Sequence, residues 1–332
     1  MAKLVSAFGS SHSVMLAAQL EDWISRFREA DKVLPLYDRE GNKLSFEEVL
    51  AQAPADAAEL VTPEAITGRF REMERCLEEM KNRVQAAKLD VLIVVGDDQH
   101  ELYHDENIPA IGIYYGETLR NAAQEALPED QWYRRAQMRR LEDKEEKHYP
   151  CDPALARYLI SSLRDREFDV AAMAKILPGQ YEGHAFSFVH RWYLKDDPRG
   201  SAVPIVPVFM NTYYDPNQPL PARCVKLGRA LRELIAAYPE NLRVGLMASG
   251  GLSHFRVEED IDRGVLDAIR RKDVDWLGGL DPRRLKAGSS EIRTWIAVAA
   301  AAADLDVKWT GYVPGYRTLA LTGTGLGFAE WA

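Results

Sequence analysis

The chain has 332 residues, a formal charge of -9 and a pI near 5.4; 46% of its residues are hydrophobic and 28% charged. A chain this long buries a sizeable core as one large domain or two smaller ones, and its acidic balance argues against a nucleic-acid partner, whose phosphates it would repel. No apolar run reaches the roughly 18 residues a membrane-crossing helix needs. The opening MAKLVSAFGSSHS lacks the zones of a secretory signal, and Cys76, Cys151 and Cys224 lie far apart without a CxxC. The expectation is a cytoplasmic protein with no membrane partner and neither a disulfide framework nor a thiolate zinc site.

In chain order, Lys3 to Phe8 predicts a short strand ending in Gly9-Ser10-Ser11-His12. Residues 17–60 are polar and acidic and predict a helical excursion or flap. Thr62 is placed to cap a helix with Pro63 in its first turn, and Ile66, Phe70, Met73, Leu77, Met80 and Val84 follow at helical spacing. The two together form a helical insertion at about residues 17–88. Asp90 to Val95 then reads as a nearly continuous apolar strand of the kind buried in parallel sheets. It runs into GDDQHELYHDEN, a loop with more histidine and acid than turn chemistry asks for.

Further on, Pro128 to Lys147 predicts a charge-dense surface helix with a solvated face. Asp152-Pro153 opens a helix with Leu155, Leu159 and Leu163 on one side, and Phe168 to Met173 is the strand after it. A strand from Ala202 to Met210, a helix from about Ala222 to Ala237 and a strand from Arg243 to Ala248 continue the alternation. A last helix is expected from about Ser290, with Glu291 in its first turn. The fold class that follows is α/β: one doubly wound, mostly parallel sheet flanked by helices, with residues 1–332 as a single domain. The tail TGTGLGFAEW lacks the spacing of a dinucleotide-binding GxGxxG and predicts a packed C-terminal turn.

Open α/β sheets gather their ligands at the carboxyl ends of the strands. Four separate loops of this kind carry histidine: His12, then His100 with His104 and Gln99, then His184, and His254 behind Gly250-Gly251. Two histidines and a carboxylate such as Glu291 make the donor set of a non-haem iron(II) site, which keeps coordination positions open for substrate and dioxygen. The same donors suit zinc.

The order SSHS, an Asp-rich loop after the second strand, GH, GGLSH and a late Glu with Trp295 four residues on resembles the class III extradiol ring-cleaving dioxygenases. This is the superfamily of the protocatechuate 4,5-dioxygenase catalytic subunit and of the gallate and 3-O-methylgallate dioxygenases. The resemblance includes PIVPVFMNTYY and RCVKLGRALRELIAAYPENLRVGLMASGGLSH and runs over nearly the whole chain. It implies a catechol-type aromatic substrate (protocatechuate, gallate or methylgallate-like), O2 as co-substrate and Fe(II) as cofactor, and it leaves a homo-oligomer open. It further implies that His12 and Glu291 bind iron, that His254 is the acid/base and that His184 contacts the substrate. The family's second iron histidine directly follows an Asp. Here Asp98 is followed by Gln99, with the histidine one place later, so the loop ligand is one of His100 or Gln99, with Glu101 nearby.

The chemistry suits these residue types. A catechol chelates a metal through two oxygens and sheds protons, which a neutral histidine accepts and later returns. Tyr213, Tyr214 and Arg223 are candidates to shape the pocket. A zinc-dependent hydrolase and a non-catalytic small-molecule-binding protein are the alternative readings.

Overall fold

The computed structural model describes residues 1–195 and 203–332. Its central sheet is built from nine strands: β1 (Lys3–Ser10), β2 (Val91–Gly96), β3 (Ile111–Tyr114), β4 (Ala171–Met173), β5 (Ile205–Met210), β6 (Arg243–Ser249), β7 (His254–Arg256), β8 (Val307–Tyr316) and β9 (Thr322–Trp331). The spatial order is β7-β9-β1-β6-β2-β5-β3-β4, with β8 also paired to β9. At the centre β1, β6, β2 and β5 run parallel. β3 joins β5 antiparallel at one side, and β9 joins β1 antiparallel at the other.

Strand β2 explains the layering. All six of its residues are buried, and successive side chains point to opposite faces. Val91, Ile93 and Val95 enter one core, while Leu92 and Val94 enter the other. A strand with helices on both sides has no polar face to show, which is why it reads as an unbroken apolar run. On the first face lie helices α2 (Pro153–Arg164), α4 (Pro221–Ala237), α5 (Glu259–Arg271) and α6 (Ile292–Ala301). The second face is covered by α1 (Pro63–Ala86), capped by Thr62 as expected, and by α3 (His184–Val189). The α/β sheet with helices on both faces is thus the fold class the sequence predicts. Among the described residues no helix is long and apolar enough to cross a membrane.

Several segments differ from expectation. The excursion at 17–60 is not all helix: short helical turns between Val14 and Val33 lead into a small hairpin, Leu36–Tyr37 against Lys43–Leu44. In the Pro128–Lys147 stretch only Trp132–Met138 is helical, and its face is not simply solvated, because Ala136 and the following Leu141 are buried. The glycine-rich tail is no turn but β9, a ten-residue strand buried throughout between β1 and β8. Its glycines disguise it in sequence and are needed in space. A side chain at Gly325 would stand 2.0 Å from the Asp262 carboxylate. Ala202, the expected start of β5, lies outside the described residues.

Candidate metal centre

Four segments meet at one point. His12 follows β1, Asp97 follows β2, His184 opens α3, and Glu291 ends a short 3-10 turn that runs into α6. One ligand atom from each lies within 4.8 Å of all the others. His12 Nε2 stands 3.2 Å from Glu291 Oε2 and 3.5 Å from Asp97 Oδ1, and His184 Nε2 is also 3.5 Å from Asp97 Oδ1. His12, Asp97 and Glu291 are buried, and the two imidazoles meet edge to face at 4.4 Å.

The outer hydrogen bonds fix which nitrogen faces inward. Ser249 Oγ donates its only proton to the Ala185 carbonyl at 2.7 Å, so toward His12 Nδ1, 3.0 Å away, it can only accept. His12 therefore carries its proton on Nδ1 and turns a lone pair on Nε2 into the cluster. His184 repeats the arrangement with a stronger partner: Nδ1 donates to Glu101 Oε2 at 2.6 Å. The Glu101 carboxylate also accepts the His184 backbone N–H and pairs with Arg140 at 2.9 Å. Burial alone would raise the Glu101 carboxyl, but His184 and Arg140 hold it at about 2.

Two imidazole lone pairs and one carboxylate oxygen then converge with nothing to share, beside the Glu291 carboxylate. His12 Nε2, His184 Nε2 and Asp97 Oδ1 are buried and have no hydrogen-bond partner, a costly arrangement unless a cation completes it. Donors roughly 2.0–2.2 Å from a metal ion stand about 3 to 3.5 Å apart, the spacing found here. A carboxylate behind an imidazole that faces a metal is also the usual device for fixing tautomer and ring orientation. The residues fit a divalent metal ion. Without one, burial opposes charge on His184, yet Glu101 and Asp97 outweigh it and push the imidazole well above its ordinary value. Glu291 is held far below the carboxylate range against its burial, chiefly by His254 and His12, and it accepts the Gly251 N–H.

His254 stands beside this group and outside it. Its Nδ1 donates to the Leu252 carbonyl at 3.0 Å, leaving Nε2 free, and it lines the same cavity as His12, Gln99, His184 and Glu291. Burial lowers its pKa, with Glu291 working against that, so it is neutral near pH 7. The motif GGLSH has a steric reason, because a Cβ on Gly251 would sit 2.1 Å from the His254 ring. Trp295 Nε1 ties the Gly250 carbonyl at 2.8 Å. Below the histidine, the buried Asp262 accepts the Ser253 N–H and hydroxyl, both at 2.7 Å, and the Tyr312 hydroxyl. Burial pushes that carboxyl up to about 7.

The structure separates the two loop candidates. Gln99 reaches the cluster, its amide nitrogen 3.2 Å from Asp97 Oδ2 and 3.4 Å from Glu291 Oε1. His100 has a left-handed backbone, φ 60°, which carries its ring outward to stack on Tyr214 at 3.9 Å and to pair with the exposed Asp105. His104 is exposed, and Arg223 stacks on Phe168 away from the site. The Tyr213 phenol is raised by burial and then by Glu291. Sequence reasoning missed Asp97, Ser249 and Arg140. Asp97 is the informative omission: Asp98 caps the Leu102 and Tyr103 N–H groups, which leaves its neighbour free for the cluster.

A mixed α/β sheet carrying a largely buried His/His/Asp/Glu cluster that could hold a metal ion beside a cavity defines the class of protein. Residues 57–327 match the family model of the catalytic LigB subunit of aromatic ring-opening dioxygenases, and the chain belongs to that family. It is similar to a 2,3-dihydroxyphenylpropionate/2,3-dihydroxicinnamic acid 1,2-dioxygenase of Comamonas testosteroni, 35% identical over 30% of this chain and 29% of that one. It is also similar to a gallate dioxygenase of Pseudomonas putida, 37% identical over 30% of this chain and 28% of that one. The match thus spans less than a third of either relative. The crystal structure of an uncharacterized protein from Escherichia coli K12 overlaps more loosely, with a TM-score of 0.42 and 14% identity over 76% of this chain and 92% of that one.

Proposed function

We propose that this protein is a non-haem Fe(II)-dependent extradiol dioxygenase that opens the ring of a catechol-type substrate with O2. The observation that carries the reading is the convergence of His12, His184, Asp97 and Glu291, the first three each with a buried atom that has no hydrogen-bond partner, beside a neutral His254 on one cavity. His12, His184 and Glu291 would supply the two imidazoles and one carboxylate that hold the metal, with His184 taking this place instead of the substrate contact the resemblance implies, and Asp97 stands beside them. An iron(II) ion held there would supply open coordination positions for substrate and O2. Gln99, donating to Asp97 and Glu291, keeps the two carboxylates in register.

The rest of the chemistry falls to the chain's own side chains. Nε2 of His254 accepts a proton from a substrate hydroxyl and returns it as the ring opens, a role that needs a histidine neutral near pH 7. Asp262 and Ser253 hold the loop that places it. The cavity walls keep the two reactants together and exclude water. The test is metal analysis of anaerobically purified protein combined with oxygen uptake on adding catechol. Iron-dependent uptake with a ring-opened product supports the reading; zinc with no uptake marks a hydrolase, and protein without metal marks a binder.

A further inference from the structure

The two segments that break the strand–helix rhythm line the same cavity as the metal centre. Phe27, Ala30 and Leu34 come from the excursion after β1; Tyr133, Ala136 and Met138 come from the short helix Trp132–Met138 and its end. They lock to each other. Phe27 meets Trp132 edge to face at 5.0 Å and Tyr133 at 6.1 Å, and Arg139 Nη1 donates to the Ala17 carbonyl at 2.5 Å. The cavity they close has a volume of about 560 Å³. That is well inside the roughly 300–1,000 Å³ range of pockets that take drug-sized ligands, and more than one dihydroxy ring fills.

Charge decides what the remaining space accepts. Among the described residues lining the cavity, Arg140 and Arg317 carry the fixed positive charges. Arg140 is matched by Glu101 at 2.9 Å, and the buried Arg317 is matched by the buried Asp31 at 2.9 Å, which Thr322 also donates to. Asp97 and Glu291 balance a divalent ion. Among the described lining residues no surplus cation is left for a carboxylate on the substrate, and the two segments line the cavity mainly with aliphatic and aromatic side chains, Gln137 and the paired Asp31 being the polar ones.

We propose that these two segments form a subsite for an extended, uncharged apolar substituent, aryl or alkyl, on the substrate's dihydroxy ring, and that ring-carboxylated catechols fit it poorly. The proposal rests on the ring-opening reading and adds the substrate class to it. The substituent lies along Phe27, Ala30 and Met138, gaining the burial that a bare ring forgoes.

The experiment compares catechol, 3,4-dihydroxybenzoate, 4-propylcatechol and 2,3-dihydroxybiphenyl on the iron-loaded chain, by kcat/KM in air and by calorimetric Kd under nitrogen. The propyl or phenyl compound is expected to exceed the carboxylated one by at least about tenfold in both readouts, since a single well-packed methylene is worth roughly that much. Ala30→Trp, which fills the subsite, should cut the ratio of the better extended compound to catechol by at least about tenfold. Preference for the carboxylated ring in both readouts, or an unchanged ratio in Ala30→Trp, would overturn the proposal. Failure to open any of the four rings would instead overturn the ring-opening reading, and the Kd ranking under nitrogen then decides the subsite by itself.

Discussion

His184 and His190 sit six residues apart in sequence, and each gives Nδ1 to a glutamate: His184 to Glu101 at 2.6 Å and His190 to Glu182 at 2.7 Å. Each has an Nε2 without a hydrogen-bond partner. Beyond that they part. His184 Nε2 faces Asp97 in a group that includes His12 and Glu291, on the wall of a cavity. His190 is fully enclosed, its ring stacked at 4.0 Å on Tyr149 and its glutamate also satisfied by Asn121 Nδ2. The comparison teaches that a buried histidine–carboxylate pair does not make a site. What marks one is several unshared acceptors aimed at the same point.

Exchanging each histidine for alanine breaks this comparison most directly. His184→Ala, like His12→Ala or Glu291→Ala, should abolish retention of iron after gel filtration while leaving the unfolding midpoint little changed, because the cluster is destabilising without its cation. His190→Ala should do the opposite. It should keep its iron and lose about 3 kcal/mol of stability in a urea titration, since Glu182 is left buried without its partner. Equal iron occupancy in the two variants would remove the distinction.

The next effect in size concerns His254. His254→Phe should retain iron and still bind catechol under nitrogen, while kcat falls by roughly two to four orders of magnitude, the usual worth of a positioned acid/base. Loss of iron from that variant would place His254 inside the metal site. The pH profile sharpens the point. Burial lowers the His254 pKa, so the neutral form persists below the ordinary histidine value of about 6.5, and activity should be lost only as pH falls through the depressed pKa. An acid limb centred above about 6.5 would assign the limb to another group.

A smaller effect is expected behind His184. Glu101→Gln removes the charge that fixes the imidazole and should weaken metal binding by about 10–100-fold without abolishing it. Smaller again is the contrast within the loop. Gln99→Ala should lower iron affinity measurably through the two carboxylates it bridges, and His100→Ala should leave it within error. The reverse order would put the outward-turned histidine back at the metal.

Much of this was legible in the sequence, and the rest was hidden for identifiable reasons. The buried strand β2, the capped helix α1, and the strand-end positions of His12 and His254 follow from apolar runs, a Thr-Pro start and turn residues at fixed places. Strand β9 was hidden because glycine at alternate positions mimics a loop, although close contact with Asp262 is what demands it. The loop after β2 defeats sequence reasoning at a finer grain. Of two adjacent aspartates one caps backbone and the other faces the cluster, and one left-handed residue decides whether His100 points in or out. Neither choice leaves a trace in residue type. The charge-dense stretch after Pro128 shows the same limit: its arginines look solvated until Glu101 and the Ala17 carbonyl are brought to them from elsewhere in the chain.

The measurement that tests the account most directly is iron content per chain, after anaerobic reconstitution and desalting, for the unaltered protein and for His184→Ala side by side. The account predicts a stoichiometric ion in the first and only background in the second. Full occupancy in His184→Ala would contradict it, because the convergence of His12, Asp97, His184 and Glu291 would then not be what holds the metal.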